Sequence, residues 1–135
     1  DGNIGRDPRN RKLFSIVDIG GRDSYTRYKL EEYLPPLSFV KLYPETGRTH
    51  QLRVHLKSIG HPIFCDEAYG GGIKFAKSFH VRYMQLINRL FKTINRVALH
   101  AHMIKICHPE TMAEMEFGAP LPKDLQRAVE VLKDG

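Results

Sequence analysis

At 135 residues, with 41% apolar and 27% charged side chains, the chain has the size and composition of one globular domain or part of one. That excludes separate substrate and cofactor domains, a disordered tail and a membrane protein. Lys and Arg number 21 against 15 Asp and Glu, a formal net charge of +6, which favours a polyanionic partner such as nucleic acid.

The two cysteines, Cys65 and Cys107, make no disulfide framework, and without a secretory pattern the reading is a reducing, cytosolic setting. The chain opens Asp1-Gly2-Asn3-Ile4-Gly5-Arg6 without an initiator Met and reads as a cut segment. Residues 1–12, with Arg6, Arg9, Arg11 and Lys12, read as an exposed basic loop. Leu13 to Val17, closed by Gly20-Gly21, and Ser24 to Tyr33, where Thr26, Tyr28 and Leu30 alternate with Arg27, Lys29 and Glu31, are strand-like. After Pro35-Pro36, Leu37 to Tyr43 reads as a third strand, with Val40 and Leu42 on one face and Phe39, Lys41 and Tyr43 on the other. Three strands on short links predict an antiparallel meander.

From Thr49 the period changes. Leu52, Leu56 and Ile59 form one helical stripe ended by Gly60, and His50, Arg53 and Lys57 line another side, with Arg48 at the start. Residues 61–72, holding Pro62 and Gly70-Gly71-Gly72, read as a loop. Tyr83, Ile87, Leu90, Phe91 and Ile94 predict an amphipathic helix over about Ser78 to Thr93, stopping at Asn95. Val97 to Cys107 and the alternation Ala113, Met115, Phe117 predict a β-hairpin turning at His108 to Thr111. Leu125, Ala128, Val129 and Leu132 predict a last helix with Pro122 near its first turn. Segregated strands and helices imply an α+β fold with a largely antiparallel or mixed sheet and flanking helices. Neither a dinucleotide loop nor a Walker lysine motif is present.

The densest polar run, Thr46 to His55 (TGRTHQLRVH), sits at a helix start, where free N–H groups and the helix dipole favour an anion; a capped surface helix is the alternative. His100 and His102 lack the spacing of a zinc site and read as half-buried sheet histidines, so no metal is expected. Neither cysteine has the local signature of a nucleophile.

The run Glu45 to Leu56 (ETGRTHQLRVHL), followed by Ile59 to Pro62 (IGHP), Asp66, Tyr69 to Gly71 (YGG), Ala98 to Ala101 (ALHA), His108-Pro109 and Ala119 to Pro122 (APLP), resembles the RluA/RluC/RluD-type pseudouridine synthases in the same order. Arg6-Asp7-Pro8 and Thr26-Arg27-Tyr28 are similar to the stretch just upstream in that family. The resemblance implies that residues 1–135 are the C-terminal portion of a pseudouridine synthase catalytic domain, which isomerises uridine in RNA without cofactor or metal. It implies that Arg53 pairs with a catalytic carboxylate and that Leu52 helps floor the uracil site. Arg48, His50 and Gln51 are the positions expected to shape the loop or touch RNA, with helix-start capping as their other reading. Ribosomal RNA is expected before transfer RNA.

The sequence departs from the family in one respect. The Arg-Leu-Asp segment with the catalytic aspartate, and the strand with the active-site tyrosine, are absent; Asp1, Asp7, Asp18, Asp23, Asp66, Asp124 and Asp134 lack that context. Asp66 reads as a loop-ordering acceptor, and Tyr25 and Tyr28 do not stand in for the tyrosine. The 135 residues alone are therefore expected to be inactive and prone to self-association. A non-catalytic RNA-binding module of the same fold is the alternative function.

Overall fold

The structure, a computed structural model, describes residues 1–10, 13–17 and 21–135. Arg11, Lys12, Asp18 and Gly20, used in the sequence reading, lie outside the described residues. The elements run β1 (Ile4–Arg6), β2 (Phe14–Ile16), β3 (Thr26–Leu34), β4 (Leu37–Pro44), α1 (Gln51–Ser58), α2 (Ile73–Ala76), α3 (Met84–Thr93), β5 (Met103–Cys107), β6 (Glu114–Gly118) and α4 (Lys123–Asp134). This is an α+β fold of antiparallel strand pairs with flanking helices.

Among the described residues the expected three-strand meander is not formed. The described strands make three separate antiparallel pairs, β1–β2, β3–β4 and β5–β6. The first pair uses residues expected in a basic loop: Ile4 lies opposite Ile16 and Arg6 opposite Phe14. A three-residue strand is too short for its period to show among Gly, Asn and Arg, and Ile4, only 5% exposed, is its one apolar anchor. Ile4 also exchanges two backbone hydrogen bonds with Arg22, at 2.9 and 3.0 Å, which ties β1 to the approach of β3.

Two cores hold the chain. The larger packs α3 against α4 and α2, with Leu86, Ile87, Leu90, Ile94, Ala76 and Ala128 buried and Phe64 and Phe91 alongside. The smaller joins Ile4, Val54 and Tyr69 and carries Leu13 and Phe14 at its margin. Helix α1 belongs to the second. It buries Gln51, Val54 and His55, whereas Ile59 is 51% exposed, so its inward face is turned from the expected Leu52-Leu56-Ile59 stripe. The cause is its neighbours: Val54 meets Tyr69 and Ile4, and the polar residues beside it bond to β3. The helix stops where expected. Gly60 adopts a left-handed φ of 82°, its N–H bonds Lys57 O at 3.0 Å and His61 N–H bonds Leu56 O at 2.9 Å, which closes the last turn in the geometry that glycine favours.

Two expected elements are shorter. Helix α3 starts at Met84, because Val81–Tyr83 forms a 3-10 turn whose Arg82 N–H is taken by the His80 side chain. Strand β5 starts at Met103 and not at Val97. Between them the Arg96 guanidinium bonds the carbonyls of Val97 and Leu99 and both oxygens of Asp124, diverting acceptors that a strand partner would need. The β5–β6 hairpin itself forms, with His108 Nδ1 accepting from the Glu110 and Thr111 amides in its turn.

Leu90 has no exposed surface, and truncation there leaves a cavity between α3 and α4. Leu90→Ala is expected to lower stability by about 3 kcal/mol, read from urea unfolding with an unchanged slope.

Candidate active site

The run Thr46 to His55 is organised by Gln51. Its buried amide accepts from Thr46 Oγ1 at 2.6 Å and from the Arg48 amide at 3.1 Å, and donates to Tyr25 O and Thr26 Oγ1, both at 2.9 Å. The side chain is thus satisfied within the protein and fastens the turn before α1 to the start of β3. Arg48, half-buried, donates from Nε to Asp23 O at 3.0 Å. Leu52 is half-buried beside it on α1.

His50 takes a left-handed backbone, φ 53°, at the helix cap, and its side chain makes no capping bond. Its Nδ1 instead lies 2.6 Å from the Tyr69 hydroxyl, which also accepts from the Phe14 amide at 3.1 Å. Burial pulls the His50 pKa below 6.5, the Arg53 charge adds to this and Asp66 opposes it.

Arg53, one turn along, meets Asp66 through two parallel bonds: Nε to Oδ2 at 2.9 Å and Nη2 to Oδ1 at 2.8 Å. Asp66 is fully buried, while the Arg53 side chain retains 21% exposure. The Arg53 guanidinium lies 4.7 Å from the centre of the Tyr69 ring, a cation–π contact with a residue that is itself 1% exposed. The hydrogen bonds to Asp66 push the Arg53 pKa up further.

Asp66 reaches this position because residues 63–71 fold tightly. Its carbonyl accepts from Tyr69 N and Gly71 N, its amide donates to Ile63 O, and Cys65 N bonds Gly71 O. A Cβ on Gly71 would stand 1.9 Å from Ile63 O, so only glycine allows this closure. The expected loop over residues 61–72 therefore holds an ordered turn with a 3-10 segment at Glu67–Tyr69.

The structure thus joins Arg53 and His50 through Tyr69 and turns Gln51 inward. The sequence reading saw Asp66 as an acceptor but did not identify its partner, and it gave Tyr69 no role. Nothing in the spacing of residues 53, 66 and 69 signals their contact, although all three fall in the stretches that carried the resemblance. Elsewhere His100 and His102 both bond Ala119 O, at 3.1 and 2.9 Å, and lie outside β5 and not on a strand face. Among the described residues, no group of three or more His, Cys, Asp or Glu is placed to hold a metal ion, and no helix is long and apolar enough to cross a membrane. Burial pushes the Cys65 thiol up to about 11, which keeps it protonated near neutrality.

Fold and site together define an α+β scaffold presenting a carboxylate-anchored arginine beside a basic helix start. No protein-family model matches the chain. Ribosomal large subunit pseudouridine synthase D of Vibrio cholerae is 37% identical over 131 residues, which cover 97% of this chain and 39% of that protein. The Escherichia coli enzyme of the same name is 34% identical over 130 residues, 96% of this chain and 38% of its own. The solved structure of human RNA Pseudouridylate Synthase Domain Containing 1 superposes with a TM-score of 0.60 at 28% identity, covering 99% of this chain and 58% of that one. The chain is homologous to the D-type ribosomal large-subunit pseudouridine synthases and spans about two fifths of their length.

His55, buried in α1, and His50, part-buried at its cap, give the fold a pH dependence. His55, like His50, is held below 6.5, chiefly by burial, while its Nδ1 bonds Thr26 Oγ1 at 2.8 Å. With a folded pKa below the unfolded one, the unfolded chain takes protons first, so their contribution is intact above pH 6.5 and declines as pH falls through the folded values. Melting temperature is expected to drop between pH 7.5 and pH 5.5, and His55→Asn is expected to flatten that drop.

Proposed function

We propose that this chain supplies the arginine-bearing part of an RNA pseudouridine synthase active site that acts on uridine in ribosomal RNA, in the cytoplasm. The observation that carries this reading is Arg53. It lies in the longest run that resembles the pseudouridine synthases, is fixed in position and still keeps 21% of its side chain exposed.

In the reaction the bond from uracil N1 to ribose C1′ breaks, the base turns, and C5 bonds to C1′. The C5 proton is released to solvent and N1 gains one, so no cofactor or metal is consumed. A carboxylate beside the sugar is needed, as in glycosyl transfer, and the base must be turned out of its stack. In this reading Arg53 keeps that carboxylate ionised and oriented by charge-assisted hydrogen bonds. Leu52 contributes to the apolar floor under the uracil. Arg48 and His50 precede α1, where the Arg48 donors that no residue among those described takes suit a phosphate, and Gln51 serves by holding the turn. Exposed cations and aromatics on β3–β4, among them Arg27 over the Tyr43 ring and Tyr28 at 64% exposure, suit an RNA surface.

The carboxylate comes, in this reading, from an Arg-Leu-Asp segment outside these 135 residues, which form the C-terminal portion of the catalytic domain. The 135 residues alone are then inactive, and their uncovered apolar side chains, such as Ile104 and Tyr33, promote self-association.

The test is tritium release from ribosomal RNA labelled at uridine C5. The natural gene product carrying this chain is expected to release tritium, and Arg53→Ala to lower kcat by about a hundredfold or more. The isolated 135 residues are expected to release none. A gene product that binds RNA yet releases no tritium from ribosomal or transfer RNA is instead a non-catalytic binding module.

A further inference from the structure

We propose that Asp66 is a positioning residue for Arg53, holding the guanidinium side-on so that its outer edge stays free for a second anion, the reacting carboxylate. The inference rests on the pseudouridine synthase reading and assigns a role to a residue which that reading leaves outside the reaction.

The geometry of the pair carries the argument. A guanidinium has five N–H donors in one plane. Asp66 takes one from Nε and one from Nη2, the long side of the fork. Three donors remain, two on Nη1 and one on Nη2. One hydrogen on each of Nη1 and Nη2 points along the outer edge, which has the spacing for a second carboxylate, and the other Nη1 hydrogen points back along the Cδ side. Arg53 makes no other hydrogen bond among the described residues, and Nη1 is not among the buried unpartnered atoms. No acceptor among the described residues takes the donors of that edge, and the Arg53 side chain keeps 21% of its surface exposed.

Two further contacts separate this arrangement from a surface ion pair. The Tyr69 ring lies 4.7 Å from the guanidinium and is pinned in turn by His50 and the Phe14 amide, so the plane of the fork is fixed as well as its edge. Asp66 is held by its own main chain: its carbonyl accepts from Gly71 at 2.7 Å and Tyr69 at 3.2 Å. With both oxygens spent on Arg53 and no surface exposed, Asp66 is not available to attack a sugar. Its charge also offsets that of Arg53, so the incoming carboxylate meets a donor edge defined by direction more than by net charge. Orientation of this kind acts on the chemical step and not on RNA affinity.

The test uses the gene product carrying this chain, with kcat and KM from tritium release and thermal melting on the same samples. Asp66→Asn keeps the shape but places an amide against the guanidinium. Asp66→Glu keeps the charge but moves the carboxylate by one methylene, and it decides the matter if Asp66→Asn does not fold. The expected result is a tenfold or larger fall in kcat per folded molecule, with KM within twofold of wild type and Asp66→Glu still folded at the assay temperature. Wild-type kcat in either folded variant overturns the proposal. So does a fall in Asp66→Glu that follows lost folding or a raised KM, which would make the pair purely architectural. Wild-type protein that releases no tritium defeats the pseudouridine synthase reading and this inference with it, whereas active wild type beside an unaffected variant defeats this inference alone.

Discussion

A carboxylate with no exposed surface must find a partner or lose its charge, and the Arg53–Asp66 pair is the constraint around which this end of the molecule is arranged. Removing one partner of such a pair leaves an uncompensated charge, at a cost of about 3–5 kcal/mol in comparable sites. The local architecture follows from avoiding that. Residues 63–71 close tightly enough to exclude a Cβ at Gly71, which brings Asp66 under α1. Tyr69, three residues on, then covers the guanidinium face and is hydrogen-bonded to His50. One ion pair thereby joins α1 to the loop after it, and through Phe14 to β2.

The rest of the chain is held less tightly. The α2–α3–α4 cluster is a conventional apolar core, but the two long hairpins contribute little to either core. Leu34 is buried at the end of β3, yet Tyr28, Leu30 and Tyr33 stand more than half exposed, and β5 is exposed throughout. Large apolar side chains in such number on paired strands mark surfaces suited to covering by another segment or partner. Polar ties do much of the fastening between elements: Gln51 to the start of β3, Arg96 to Asp124 on α4, and Thr46 Oγ1, which accepts from the Tyr25 amide at 3.0 Å.

Much of this was legible in the sequence, for identifiable reasons. The β3–β4 hairpin, α3, the β5–β6 hairpin and α4 show clear periods bounded by Pro, Gly or a turn, and they formed with ends shifted by a few residues. Strand β1 was hidden because three residues carry no period. The face of α1 was misread because its inward side contains Gln51 and His55, polar residues that a hydrophobic pattern assigns to solvent. The first residues of the expected fifth strand were lost to Arg96, whose competition for carbonyls leaves no trace in alternation. At the site, Arg53 stood out through its motif, while its pairing with Asp66 did not, since a contact across thirteen residues depends on a turn that only the fold reveals.

The density of polar side chains between Thr46 and His55 has a further consequence. Read along the chain, the run offers an anion several donors at a helix start. In the fold most are already engaged: Gln51 is satisfied on all sides, the His50 ring is hydrogen-bonded to Tyr69, His55 bonds Thr26 and Arg48 spends its Nε on Asp23. The N-terminus of α1 also lacks a side-chain cap, and its first residue is buried. The motif is therefore not a cluster of equivalent ligand contacts. Its polar residues build the turn, brace the helix and fix one plane, and the guanidinium donors of Arg48 and Arg53 that no residue among those described takes are what they leave unspent. A site built this way gains directionality at the expense of contact number, which suits a group that must hold one carboxylate in one orientation better than a group that must grip a polyanion.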